Sequence, residues 1–272
     1  MSSQNWYRGN THTHTNVSDG NASLEYTAEW YHKHGYDWLV ITDHNKFTPV
    51  EEIPYHPETP FLLIAGCEIS MSAEGKPVHV CAVNPRENPN SVAMPTIIQT
   101  LQAGVDRTNT LGGIPIINHP NWCWAFTEYH MARVTDWALF EIFNPSTDCN
   151  NWGGGGELSM EERWDRMLSA GMRVFAVAAD DSHTFVGEFY GHLSLPGLGW
   201  VTVRAPELTT DAICTALKAG DFYASTEIEL EDYEVTPEWI RVRIKQFDGY
   251  KYTTKFIGMN GKVLEERNGT EA

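Results

Sequence analysis

Residues 38–45, WLVITDHN, decide how the fold is read. Trp38, Leu39, Val40 and Ile41 form an unbroken apolar run, which fits a strand buried on both faces. The run ends at once in Thr42, Asp43 and His44, and the same arrangement recurs along the chain. Glu68 follows FLLIAGC (61–67), His79 lies within VHVCAV (78–83), His119 ends IPIIN (114–118), and Asp181 and His183 close VFAVAAD (174–180). Polar residues at the C-terminal ends of successive strands are where a barrel of alternating strands and helices builds its active site.

The N-terminal stretch THTHTNVSDG (11–20) adds to this series. In a strand, residues i and i+2 share a face, so His12 and His14 would present two imidazoles to one metal ion. Asp19, on the turn suggested by Ser18-Asp19-Gly20, could reach a neighbouring ion. An isolated HxH pair can equally be a solvated strand end, and the rest of the chain decides between the two. Six of the 11 histidines fall in the strand-linked series: His12, His14, His44, His79, His119 and His183. His32, His34, His56, His130 and His192 lie in expected helices or loops, where a solvated ring is the simpler reading. Imidazole is the commonest ligand for zinc and similar ions. Six imidazoles with three carboxylates exceed the three or four protein ligands of one catalytic zinc, so more than one ion is implied.

Helical patterns separate the apolar runs. They cover 23–34, with Ser23 as N-cap and Gly35 as terminator; 96–111, stopped by Gly112-Gly113; 159–170, stopped by Gly171; and 209–219, with Thr209 as cap and Gly220 as stop. Repeated strand and helix argue for a parallel barrel or a doubly wound sheet. After Thr226 the pattern changes. Trp239, Arg241, Arg243 and Lys245 interleave with Ile240, Val242 and Ile244, the period-2 signature of antiparallel strands with one wet face. Residues 1–224 are expected to form the barrel and 225–272 a small β extension.

Taken together, HTH with the following SDG, ITDHN, the glutamate of GCEIS, the isolated His79, INHP (117–120) and DDSH (180–183) resemble the polymerase and histidinol phosphatase (PHP) family of metal-dependent phosphoesterases. The motifs span residues 10–183 in the family's order, and GDFYAST (220–226) is similar to a segment of free-standing bacterial members. The resemblance implies an α/β fold, a distorted (β/α)7 barrel, and two to three divalent ions, Zn, Mn or Fe. It implies a first ion held by His12, His14, Glu68 and Asp181, a second bridged by Glu68 and held by His79 and His119, and a third held by Asp19, His44 and His183. Asp19 departs from members that carry histidine there, and a harder oxygen ligand would favour manganese or iron. The activity implied is hydrolysis of a small phosphorylated metabolite by a hydroxide bridging two ions. Two alternatives stand beside it: a carbamate, amide or ester hydrolase using the same centre, and a metal-stabilised module without catalysis.

Composition agrees with an enzyme of this kind. The chain has 272 residues and a formal charge of −17, without the clustered Lys and Arg that a nucleic-acid duplex binder needs. A small anionic substrate remains compatible, because three divalent ions bring more positive charge than three carboxylates remove. No apolar run is long enough to span a membrane and the N-terminal residues lack signal-peptide character, so a cytoplasmic enzyme with no membrane partner is expected. Five cysteines without CxxC spacing suggest free thiols. Lys46 and Arg133 are candidates to grip phosphate oxygens, and His192 is a candidate general acid. Asp43 is expected to support a ligand rather than bind metal. Trp122 and Trp124 read either as an apolar wall for substrate or as rim packing. The run Gly153 to Gly156 reads as a flexible connection, with a lid as the functional alternative.

Overall fold

Each expected apolar run is a strand in the computed structural model, which describes residues 5–187 and 194–272. β1 (Asn5–Asn10), β2 (Trp38–Ile41), β3 (Leu62–Ala73), β4 (Lys76–Val83), β5 (Ile114–Ile117), β6 (Leu139–Phe143), β7 (Phe175–Ala178), β8 (Trp200–Ala205) and β9 (Phe222–Ser225) form one sheet, in the order 7-6-5-4-3-2-1-8-9. Only β4 and β8 are reversed; the other seven strands run the same way. Just past the C-terminal ends of β1 and β7 the sheet curls onto itself. Thr13 bridges Ser182, His14 N donates to Ser182 O at 3.0 Å, and Asp181 N donates to His12 O at 3.0 Å. The result is a nearly closed, distorted barrel.

The β2 run shows why these segments are strands. Trp38 and Val40 join a core shared by β2 to β8, while Leu39 and Ile41 join a second core against α1 (Leu24–Lys33). Both faces are covered, so no polar alternation is needed. Gly9 follows from the same packing: a Cβ at this position would overlap the Trp38 indole.

The four expected helices form, with bounds set by their caps: α1, α2 (Ile97–Thr110), α4 (Met160–Ser169) and α5 (Thr210–Ala219). Ser23, Thr96, Ser159 and Thr209 each accept a first-turn amide at 3.1 to 3.3 Å. Ser159 and Glu162 complete a capping box, and Gly220 ends α5 at φ 81°. A short α3 (Glu128–Met131) stands between β5 and β6.

Strict strand-helix alternation fails in two places. β3 and β4 are a hairpin turned at Glu74-Gly75, where both residues have positive φ, as a two-residue hairpin turn of the mirror-image type requires. β8 runs antiparallel beside β1, paired from Asn5 to Gly9, and brings β9 with it. Beyond Ser225, β10 (Leu230–Val235) with β11 (Ile240–Ile244) and β12 (Thr253–Gly258) with β13 (Lys262–Asn268) make two small antiparallel sheets. Among the described residues, no helix is long and apolar enough to cross a membrane.

Candidate metal centre

The C-terminal ends of the strands bring all nine ligand-type residues of the sequence reading into one cluster. His12 and His14 lie in the extended segment after β1, with their Nε2 atoms 3.0 Å apart. Asp181 Oδ1 sits 3.1 Å from His12 Nε2 and 2.9 Å from His14 Nε2. Glu68 projects from β3 into the centre, fully buried. One of its oxygens is 2.9 Å from His79 Nδ1, 3.2 Å from His119 Nε2 and 3.5 Å from His12 Nε2. The other is 2.6 Å from His44 Nδ1 and 3.5 Å from His14 Nε2. Asp19 is the outermost member, its side chain 56% exposed, with oxygens 3.3 Å from His183 Nε2 and 3.5 Å from His44 Nε2.

His79 reaches this end although it lies early in its strand. β4 is reversed, so its N-terminal half sits where the other strands finish, and His79 pairs in register with Ser70. His119, at φ 23°, and Asp181, at φ 47°, both occupy the left-handed region that side chains other than glycine rarely adopt. Such strain collects where function requires a side chain to be aimed against local preference.

The electrostatics show a cluster that expects cations. Burial alone would drive Glu68 toward its neutral form, but the imidazoles of His79, His12 and His44 outweigh it and hold the carboxyl well below the usual range. Asp181 is held low in the same way, against its own burial, by His12 and His14. Burial opposes charge on His44 as well, yet Glu68 and Asp19 raise it to about 10. His14, fully buried and repelled by His183, is pushed down to about 4. Glu68 Oε2 and Asp181 Oδ1 are buried without a hydrogen-bond partner of acceptable geometry. Leaving a buried carboxylate oxygen unsatisfied is costly, and a coordinated cation removes that cost. The donor set of imidazoles and carboxylates therefore fits divalent metal, and three overlapping groups could each hold an ion: His14, Asp19, His44 and His183; His12, His14 and Glu68; His44, Glu68 and His79.

A surrounding layer orients the cluster, and sequence reasoning missed most of it. Glu141 of β6, buried, lies 2.5 Å from His12 Nδ1 and accepts from Asn118 Nδ2 at 2.8 Å and from His119 N at 3.0 Å. Asn144 Nδ2 donates to Asp181 Oδ2 at 3.0 Å. Asp180 accepts from the amides of Gly197, Leu198 and Gly199, each at 2.8 Å, and from Tyr31 Oη at 2.8 Å; burial nevertheless lifts its carboxyl to about 6. The visible signal for Glu141 was a lone carboxylate inside the apolar run LFEIF. Asp43 supports the site through the loop that carries Asp19, accepting from Thr15 N at 2.8 Å and Ser18 Oγ at 2.6 Å.

The cluster opens into a cavity of about 310 Å³ lined also by Trp122, Ser146, Asp148, Cys149 and Ser194. Trp122 stands against His79 and His119 with ring centroids 5.4 and 5.3 Å away, and its Nε1 donates to Asp148 at 2.8 Å. Trp122 is thus a wall of the site, whereas Trp124 does not line it. A larger cleft, about 760 Å³, lies between α4 and β12 but shares no residue with the ligand cluster. The smaller cavity is the candidate site because six of the nine ligand-type residues line it: Asp19, His44, His79, His119, Asp181 and His183.

Neither of the two expected substrate contacts lines the cavity. Arg133 does not line the cavity: its guanidinium lies 3.5 Å over the Tyr129 ring and donates to the Tyr129 carbonyl, where stacking and the hydrogen bond satisfy it. Lys46 is exposed two residues past His44 and likewise does not line the cavity. His192 lies outside the described residues. The run Gly153 to Gly156 is a closed turn: Gly154 and Glu157 exchange backbone hydrogen bonds at 3.1 and 3.0 Å, and Arg163 holds Glu157 at 2.8 Å.

The chain matches no protein-family model and no curated protein. Among solved structures, its fold is shared with a two-domain protein from Bacteroides vulgatus containing a predicted PHP-like metal-dependent phosphoesterase. That match has a TM-score of 0.56 at 16% identity and covers 98% of this chain and 86% of the other. Weaker likenesses are to a protein assigned as a metal-dependent phosphoesterase from Bifidobacterium adolescentis (TM-score 0.47, 13% identity) and to an amidohydrolase from Chromobacterium violaceum (TM-score 0.46, 13% identity). Each covers 69% of this chain and 92% of the other. The class this defines is a distorted α/β barrel with a candidate metal centre at the C-terminal ends of its strands.

Proposed function

We propose that the chain is a PHP-type metal-dependent phosphoesterase acting on a small phosphorylated metabolite at a trinuclear centre. The observation that carries this reading is the convergence of six imidazoles and three carboxylates in one cluster, six of the nine lining one cavity, with a buried oxygen of Glu68 and another of Asp181 lacking hydrogen-bond partners of acceptable geometry. His12, His14, Glu68 and Asp181 would hold one ion, Glu68, His79 and His119 a second, and Asp19, His44 and His183 a third. Bound divalent ions would supply Lewis acidity toward a phosphoryl oxygen and lower the pKa of water at the site.

The chain's own residues do the rest. Glu68, set among five imidazoles, fixes the spacing of the ligands on either side of it. Glu141 and Asn118 hold His12 and His119 in one orientation. With Nδ1–H of His12 donating to Glu141 Oε1, Nε2, the atom facing Asp181, is left as the ligand nitrogen. Trp122 gives one wall apolar character and limits water on that side. Lys46, close in sequence to His44, is the proposed cation for attracting an anionic substrate to the mouth.

The test combines elemental analysis of protein prepared without chelator with a panel of phosphomonoesters, phosphodiesters, carbamates and esters. The panel is run on protein loaded separately with Mn, Zn or Fe. The expected result is two to three ions per chain and turnover concentrated on phosphate esters. A reproducible ceiling of one ion per chain with metal in excess, or turnover confined to carbamates or amides, would overturn it.

A further inference from the structure

We infer that a second cleft, opening beside the metal centre, seats an uncharged planar aryl or heteroaryl group on the organic part of the substrate; this rests on the phosphoesterase reading above. The cleft, about 500 Å³, shares Ser146 with the metal cavity, so one molecule can occupy both. Its most exposed wall is Trp152, whose side chain belongs to a residue 81% open to solvent and meets the edge of Phe143 with ring centroids 6.4 Å apart. Leu198, 45% exposed, also lines the cleft.

Charge and hydrogen bonding narrow the occupant. No ionisable residue is among the described residues that line the cleft, in contrast to the metal cavity beside it. The Nδ2 of Asn150 and the whole carboxamide of Asn151 are engaged by backbone: Asn150 donates to Asn121 O and Asp148 O at 3.1 and 2.9 Å, and Asn151 donates to and accepts from Asn144 at 2.7 and 3.1 Å. What remains for a ligand is mainly apolar and aromatic surface, from Phe143, Pro145, Trp152 and Leu198, with the Thr147 hydroxyl beside it. The indole is also presented on a fixed turn, because Gly153 N donates to Asn150 O at 3.0 Å and Met160 N to Asn151 O at 2.8 Å. An aromatic face held in place before binding loses little freedom when a ring stacks on it.

The experiment measures binding of phenylphosphonate and methylphosphonate to metal-loaded protein by calorimetry, alongside hydrolysis of phenyl phosphate and methyl phosphate. Wild type should prefer the phenyl compound by roughly 10-fold, Trp152→Ala should bring the ratio near one, and Trp152→Phe should keep most of it. Equal affinities in wild type, or a preference that survives Trp152→Ala, overturn the inference. If the phenyl preference is seen and lost in Trp152→Ala while neither ester is hydrolysed, the subsite stands and the phosphoesterase reading falls. If neither phosphonate binds, both fall.

Discussion

At the residue scale the informative carboxylates are those that touch several partners. Glu68 approaches five imidazoles within 3.5 Å, and Asp19 only the outer pair within that distance, His44 and His183. Glu68→Ala should therefore release more than one ion per chain, whereas Asp19→Ala should release one and leave the inner ligands occupied. Metal content after gel filtration checks this, and equal loss from both variants would contradict the proposed partition. Glu141 touches no cavity surface but fixes His12, so Glu141→Gln should weaken metal binding by roughly 10- to 100-fold while the fold is kept. A chelator competition titration reads that shift, and wild-type affinity in Glu141→Gln would show that the contact to His12 Nδ1 does not tune the ligand. His12 and His14 were legible once their spacing was set beside the ligand-type residues at the other strand ends; Glu141 was not, because a carboxylate in a strand names no partner until the neighbouring strand is placed.

Among the elements, helices were the most legible and strand direction the least. Ser23, Thr96, Ser159 and Thr209 mark their helix starts because an N-cap hydroxyl acts on amides two or three residues away, a purely local interaction. The reversal of β4 is encoded by the two-residue Glu74-Gly75 turn, which lies between two apolar runs and is easily read as a loop leading to a helix. That reversal is what turns His79 toward the site from the start of its strand. β1 meets β2 at Gly9, in register with Trp38, and the indole occupies the space a side chain would need. Gly9→Ala should destabilise the fold by about 1–3 kcal/mol through overpacking. Denaturant unfolding reads it as a lower midpoint with an unchanged slope. An unchanged midpoint would mean that β1 and Trp38 can separate at no cost.

For the whole molecule, protons and metal compete for the same nitrogens. In metal-free protein, His44 is raised from the ordinary 6.5 to about 10, so its contribution is fully present below pH 6.5 and is lost as pH rises through 10. His14, lowered to about 4, acts in the opposite sense: its contribution is present above 6.5 and is lost as pH falls through 4. Glu68, Asp181 and Asp19, held below the carboxylate range, contribute above about pH 4 and lose that contribution in stronger acid. Metal requires neutral imidazoles, so the stabilisation it adds should grow from pH 5 to pH 8 while that of the metal-free protein does not. Thermal melts with and without chelator across that range check this, and a metal increment independent of pH would contradict it. What the sequence determined by itself was everything carried by local or periodic chemistry: buried strands from unbroken apolar runs, helix limits from caps and glycines, and the ligand-type residues at strand ends. Only the tertiary structure decided which of these meet. The curl of β1 onto β7 through Thr13 and Ser182 and the contacts of Glu141 with His12 and of Asp180 with Tyr31 all join residues distant in the chain, and no local signal specifies such a pairing.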